Sequence, residues 1–462
     1  MERSSTEPWL IAPGSGRYYA RFSQAETLSE RRGELYPAVW LFEAFDAAWF
    51  DRNQRRASLD DVAEYYHYAK LFVLEILVKS PKARPLRGLA AVAASDTENA
   101  EPEDWFIIQA TPLNGRALNE GEVSVIIYPN LYLVGIAGSV VEAAPVDSET
   151  SDRLKLAVST THIPDATELE VKEALSGIAK TSIDWVVAYD VGQGNSIGFC
   201  GSDGSVKAYF DIGGGVLANA RTFPNALTKF CFTQRPPIIL SHWDFDHWSS
   251  ANRDRQSHFM TWIAPRQSVG PTHVALMTMI AQAGQLLLVS PGSPARRYGQ
   301  IKLEYCTGRG RNGSGLAVTL SERANGAGQQ MLFPGDARYT FIPSFPNPPT
   351  NRYLSVVVPH HGGDMNSNIV PICPQLAASR LVYSYGHGNT FHHPRLVTRT
   401  DHVASRWRDV LITPGAAAQE SRDTINRGAT GLGHVLLGWQ PHAVRPEIPC
   451  GGRSCRLQAQ QM

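Results

Sequence analysis

The sequence predicts an α/β protein in two parts, and three observations carry that prediction. From residue 181 onward, short apolar runs recur that end in loops of Asp, His and Gly, the pattern of strands feeding a common rim. Before that point, a helical periodicity over 29–80 is followed by β-rich runs over 104–143, so the N-terminal part reads as α+β. Charge changes as well. Residues 1–180 carry 18 basic and 27 acidic side chains, a net of −9, whereas residues 181–462 carry 25 basic and 16 acidic, a net of +9.

The chain of 462 residues, 43% hydrophobic and 9% aromatic, is long enough for two or three domains with a substantial core. No apolar run approaches the ~18 residues of a membrane span. The strongest, "LFVLEILV" (71–78), carries Glu75. "MERSSTEPWL" has no apolar signal region, and six scattered cysteines form no CxxC pair, so a cytoplasmic chain with reduced thiols is expected. "CGGRSC" (450–455) reads as part of a disordered tail rather than as a disulfide or metal pair.

Within 29–80, Ser58 and Asp61 make a capping-box-like start, and Val62, Tyr65, Ala69, Phe72, Val73 and Ile76 keep a 3.6-residue rhythm. "DWFIIQATPL", "GEVSVIIYPN" and "LYLVGIAGSVV" read as strands. These make residues 1–175 an α+β accessory domain with no motif that assigns a role, open to a protein partner. "APVDSETSDR" (144–153) reads as a polar linker and "DATELEVKEALSGIAK" (165–180) as an amphipathic helix. Then come strand–turn–strand in "IDWVVAYDVGQGNSIGFC", and strands ending "FDIGGG", "LSHWDFDH", "LFPGDAR", "VPHHGG" and "YGHGNTFHHP". Residues 181–440 are expected to form one α/β domain, with 441–462 as a tail.

Nine of the 14 histidines lie between 242 and 393. His242, Asp244, Asp246 and His247 stand at i, i+2, i+4 and i+5, a spacing no single strand or helix turns to one side. A tight loop leaving a strand wraps all four around cations, and imidazole with carboxylate suits Zn²⁺, Mn²⁺ or Fe²⁺. Trp243, Phe245 and Trp248 anchor such a loop, which argues against a solvated surface turn.

The motifs "DVGQGNSI", "FDIGGG", "LSHWDFDH", "LFPGDAR", "VPHHGG" and "NTFHHP", in that order over about 181–440, resemble the metallo-β-lactamase fold, and within it the soluble hydrolase domain of ComEC-type DNA-uptake proteins. The resemblance implies a four-layer αβ/βα sandwich with two divalent metal ions, Zn²⁺ or Mn²⁺, at one rim. His242 and Asp244 would serve one ion; Asp246, His247 and His393 the other; Asp336 would bridge them. His360 and His361 would stand beside the ions as ligands or proton-transfer groups, so Asp246, His360 and His361 are the catalytic candidates. Asn195 and Asn389 fall at substrate-side positions of the motifs. Asp244 stands where the family has His, Asn195 where it has Asp and Gly363 where it has Ser. His258 and His273 lie in the interval of the fold's third-motif His, but neither follows a convincing strand.

"GRGRNGSG" (308–315) contains GxGxxG outside any βαβ context and reads as a hairpin loop. Its Arg309 and Arg311, with Arg338, are candidates to fork onto a substrate phosphate. Of the 25 basic residues after 180, 22 are Arg, a bias that a GC-rich genome also produces. The expected activity is metal-dependent hydrolysis of a phosphodiester in DNA, RNA or a nucleotide, with no membrane partner. Hydrolysis of an ester, lactone, thioester or β-lactam at the same site, and a non-catalytic regulatory module, stay open as alternatives.

Overall fold

The computed structural model describes residues 16–29, 36–53, 62–80, 82–89, 104–227, 229–409, 411–412, 420–427 and 432–441, and these divide into two compact units. The described residues before Ile163, together with Ser268–Met279, make the first; the rest from Ile163 onward make the second.

The first unit is a closed antiparallel barrel. Its strands are β1 (Arg17–Thr27), β2 (Ala38–Asp46), β3 (Leu71–Val78), β4 (Trp105–Pro112), β5 (Val123–Tyr128) and β6 (Ile136–Pro145), paired in the order β1-β2-β3-β5-β6-β4. Closure pairs each of the six strands on both sides. The two-residue alternation of each strand fills the barrel with Tyr18, Ala20, Phe22, Trp40, Phe42, Leu74, Ile76, Phe106, Ile108, Val125 and Ile127. Side chains of opposite parity, among them Arg21 and Glu43, are nonetheless buried. Glu43 Oε1 lies 2.6 Å from His273 Nδ1, and the backbone N–H groups of Thr272 and His273 donate to Glu43 Oε2 at 3.0 and 3.3 Å. Arg21 donates to Ser268 Oγ and to the Val269 carbonyl.

Three local expectations fail here. Residues 29–80 are not mainly helical: β2 and β3 occupy 38–46 and 71–78, and only Ala47–Asn53 and Val62–Tyr68 are helices. The β-branched and aromatic content of "AVWLFEAFD" and "LFVLEILV", paired in register, outweighs the helical rhythm. The polar stretch at 144–153 is no linker either. Asp147 caps the helix Ser148–Ala157 by accepting from Thr150 N, and that helix buries Leu154 and Ala157. Finally, Cys231 is disulfide-bonded, so the thiols are not all reduced; Cys200, Cys306 and Cys373 are free and buried. Ser58, Asp61 and "CGGRSC" lie outside the described residues.

The second unit holds two seven-stranded sheets. The first comprises β7 (Trp185–Ala188), β8 (Ser196–Cys200), β9 (Val206–Ile212), β10 (Ile238–Ile239), β11 (Thr261–Pro265), β12 (Gln285–Val289) and, at its far edge, β20 (Val435–Gly438), in the order β12-β11-β10-β9-β8-β7-β20. The other runs β13 (Arg296–Tyr298), β14 (Ile301–Tyr305), β15 (Leu316–Ser321), β16 (Gln330–Phe333), β17 (Tyr353–Val357), β18 (Arg380–Tyr383) and β19 (Ser421–Asp423), in chain order. Val186, Ile197, Phe210 and Ile239 of the first share one core with Leu303, Val318, Met331 and Val357 of the second. The chain is thus a mixed α/β protein with facing sheets in this unit. The helix Glu168–Ala179, closed by a Thr167–Glu170 capping box, adds Val171, Leu175 and Ile178 to that core. Strands β9, β10 and β11 run parallel, as do β16, β17, β18 and β19, so the C-terminal ends within each group open on one rim. Among the described residues, no helix is long and apolar enough to cross a membrane.

Candidate metal centre

The loop after β10 carries the cluster. Trp243, Phe245 and Trp248 are buried, and the indole N–H groups of Trp243 and Trp248 donate to the carbonyls of Pro265 and Trp243. These rings fix the loop, so His242, Asp244 and His247 are buried and only Asp246 keeps some exposure, 17% of its side chain. Close backbone approach holds the loop from beneath: a Cβ on Gly213 would lie 1.7 Å from the Asp246 carbonyl oxygen, and the N–H groups of Asn195 and Gly214 donate to that same oxygen.

Other strand ends complete the site. Asp336, in the turn after β16, places Oδ1 3.1 Å from His247 Nε2 and Oδ2 3.7 Å from His242 Nε2. His361, after β17, places Nε2 3.2 Å from Asp246 Oδ2 and 3.9 Å from Asp336 Oδ2. His360 and His361 both adopt left-handed backbone, φ 51° and 54°, an unfavourable conformation for side-chain-bearing residues that turns the chain sharply off its strand. The His360 N–H donates to Asp336 Oδ1 at 3.2 Å.

Each of the three central imidazoles is held by its other nitrogen. His247 Nδ1 lies 2.8 Å from Asp211 Oδ2, His361 Nδ1 2.9 Å from the Ser384 carbonyl, and His242 Nδ1 2.9 Å from Ser241 Oγ. The Nε2 atoms of all three are buried and make no hydrogen bond, although carboxylate oxygens face them. Buried polar atoms normally have partners. Imidazoles oriented through Nδ1, with bare Nε2 atoms converging on carboxylates, are the arrangement of a metal ligand set with its outer supports in place. Donor atoms of His242, His247 and Asp336 lie within 4.8 Å of one another, as do those of Asp246, His247 and His361. The residues therefore fit a divalent cation, which these five side chains would hold.

Electrostatics agree. Burial opposes ionisation of Asp336, yet the His247 and His361 imidazoles hold its carboxyl well below the usual range. Burial likewise opposes protonation of His247, but Asp336 and Asp211 push it well above the ordinary value. The site asks for positive charge.

The remaining candidates fall as follows. His393 is buried beside the cluster, its ring 5.2 Å from that of His360 and 6.4 Å from that of His361. His361, rather than His393, completes the group with Asp246 and His247. Asn389 positions His393, accepting from its N–H at 3.0 Å and donating to its carbonyl at 2.7 Å. Asn195 lies under the site and donates to Asp211 Oδ2 at 2.8 Å. Arg311 is buried with Nε 2.9 Å from Asp244 Oδ1. Arg309 is exposed, and Arg338 is half-buried, its guanidinium 5.5 Å from the centre of the Phe341 ring. His258 sits in the turn Arg255–Phe259, and His273 pairs with Glu43, so neither joins the cluster.

Sequence reasoning quoted Asp211 and Ser241 within their motifs without singling them out. Asp211 accepts from Asn195, from Ser241 N at 2.6 Å, from Ser241 Oγ at 2.9 Å and from His247. Its signal was an Asp at a strand end, with one residue between it and three glycines.

No protein-family model and no curated protein matches the chain. Among solved structures, the chain is similar to the Rm3 metallo-beta-lactamase at 12% identity and a TM-score of 0.21, over 51% of this chain and 94% of that one.

Proposed function

We propose that the chain is a divalent-metal-dependent hydrolase of the metallo-β-lactamase fold, acting on phosphodiesters at the His242–His247 loop. One observation carries the reading: three buried imidazoles, each held through Nδ1, turn their Nε2 atoms onto the carboxylates of Asp246 and Asp336. A divalent ion bound there supplies Lewis acidity and an acidified water. The chain's residues do the rest. Asp246, the most exposed carboxylate of the set, accepts a proton from attacking water. His360 and His393, at the edge of the cluster, move the proton to the leaving group. The ordered motifs over 181–440 and the +9 charge of residues 181–462 support an anionic substrate such as DNA, RNA or a nucleotide.

An acyl hydrolase is the second reading, favoured by one observation: Arg311 is committed to Asp244, which removes one of the two loop forks offered to a phosphate. The test is a substrate panel with Mn²⁺ or Zn²⁺ added to chelator-stripped protein. Bis-p-nitrophenyl phosphate and DNA are set against p-nitrophenyl acetate and a chromogenic β-lactam. Metal-restored turnover confined to the phosphate arms supports the first reading; turnover confined to the acyl arms installs the second; none in any arm overturns both.

A further inference from the structure

The pair Asp244–Arg311 divides the site. Asp244 occupies the position at which the motif resemblance places a neutral His, and would be expected to hold an ion together with His242. Its Oδ1 instead faces the Arg311 guanidinium at 2.9 Å, and its Oδ2 lies 3.4 Å from His242 Nε2. Both partners are nine-tenths buried or more, Asp244 at 3% exposure and Arg311 at 5%. The pairing is clamped by its backbone. Gln267 Oε1 accepts from Trp243 N at 3.2 Å, and Gln267 Nε2 donates to the Arg311 carbonyl at 2.7 Å and to Ser314 Oγ at 3.1 Å. One amide side chain therefore ties the loop of Asp244 to the turn of Arg311, and the guanidinium is a fixed part of the site.

A second relation concerns His247. The two donor groups, His242–His247–Asp336 and Asp246–His247–His361, share it. An imidazole presents two ring nitrogens, and Nδ1 of His247 is engaged by Asp211. Only Nε2 remains, with one lone pair for one ion. The two groups cannot both be filled through His247. They are two sides of one position, with Asp336 between His242, His247 and His361.

We infer that the centre holds a single divalent ion, bound through His247 and Asp336, and that the buried Arg311 guanidinium supplies beside Asp244 the positive charge that a second ion would otherwise bring. The expected pair of ions becomes one ion and one fixed organic cation. A further dication at His242 and Asp244 would stand against that guanidinium, and like charges in a desolvated site repel strongly. The guanidinium cannot relieve this by losing its proton. It holds that charge at a position that neither exchanges nor needs loading. This inference rests on the metal-centre reading above.

The test counts ions on the full chain. Chelator-stripped protein is titrated with Mn²⁺, and bound metal is measured by elemental analysis after desalting and by electron paramagnetic resonance. The expected result is one equivalent, with the spectrum of an isolated Mn²⁺. Arg311→Met should admit a second ion, approaching two equivalents with an exchange-coupled spectrum, and Arg311→Lys, which keeps the charge, should stay at one. Two equivalents with a coupled spectrum in the unaltered protein overturn the inference while leaving the metal centre standing. No bound Mn²⁺, repeated with Zn²⁺, overturns the metal centre itself. One equivalent in both the unaltered protein and Arg311→Met removes Arg311 from the role assigned to it. The count on unaltered protein needs no variant, so misfolding of Arg311→Met leaves the inference exposed to refutation.

Discussion

His247 Nδ1 stands 2.8 Å from Asp211 Oδ2, and both side chains are fully buried. Asp211 reaches this point from the end of β9 with φ 61°, a left-handed backbone that turns its carboxylate beneath the loop after β10. Its two oxygens receive Asn195 Nδ2, Ser241 N, Ser241 Oγ and His247 Nδ1. The carboxylate therefore fixes His247 directly and His242 through Ser241.

Asp211→Asn tests that support. Asn tolerates the left-handed backbone, so the fold should survive. The amide cannot accept as the carboxylate does, and it presents a donor toward His247 and Ser241. Metal affinity should fall by about 10–100-fold, the usual cost of losing such a support. Competition against a chromogenic chelator measures it. An unchanged affinity would show that Asp211 holds the fold and not the ligands.

The two carboxylates that face the imidazoles are the second target. Asp246→Ala with Asp336→Ala removes both anions from a cluster that retains its three imidazoles. Bound metal and turnover should both be lost while the circular dichroism spectrum stays unchanged, because neither side chain joins a hydrophobic cluster. Elemental analysis showing metal content equal to that of the unaltered protein would remove these residues from the ligand set.

The same residues show what was readable from sequence. The loop from His242 to His247 was legible because its ligand types follow an apolar strand within six residues, and Asp336 because it ends its own strand. His361 and His393 were both visible, but which one completes the group with Asp246 depends on the left-handed turn at His360 and His361, which spacing does not encode. Arg311 was read as a phosphate fork because its partner, Asp244, is 67 positions away and meets it only in the folded chain. The barrel was half legible. Strands over 104–143 alternate clearly, whereas "LFVLEILV" also keeps a helical rhythm, and only pairing with β2 and β5 decides between them. Glu43 was not singled out from the sequence, because nothing local shows that Ser268–Met279 covers it.

That cover gives the third prediction. Glu43 and His273 form a buried pair at 2.6 Å, with side chains 1% and 0% exposed. Glu43→Ala leaves His273 and the backbone N–H groups of Thr272 and His273 without their acceptor, and should destabilise the first unit by about 3–5 kcal/mol. Replacing both members with Leu should cost less, since no unpaired imidazole is left behind, although the N–H groups of Thr272 and His273 still lose their acceptor. Urea unfolding followed by Trp fluorescence reads the difference. A single variant within about 1 kcal/mol of the unaltered protein would contradict a network dependent on Glu43. The pair also makes a truncation near residue 181 a poor assay of the second unit, because such a chain keeps His273 and loses Glu43.

The last prediction concerns acid stability, through a histidine remote from the metal cluster. His402 is fully buried in the helix Leu396–Ala404. Its Nδ1 lies 2.8 Å from the Thr398 carbonyl and so carries the proton, which leaves Nε2 to accept from Tyr339 Oη at 3.0 Å. That network uses the neutral tautomer, and burial lowers the pKa from the ordinary 6.5 to about 4. Above pH 6.5 the ring is neutral in folded and unfolded chains alike, and His402 adds no pH dependence. Between 6.5 and 4 the unfolded chain takes up a proton there and the folded chain does not, so stability falls as pH falls. Below about 4 both states are protonated and the loss levels off, at a total on the order of 3 kcal/mol. His434, buried and lowered to about 4 in the same way, adds a second loss over the same window. His402→Gln removes one titrating group, so its stability should decline less steeply from pH 7 to pH 4 than that of the unaltered protein. Urea midpoints at half-unit pH steps give both curves. Parallel curves would mean that the buried imidazole does not set the acid limit, and that the carboxylates of the ion pairs do.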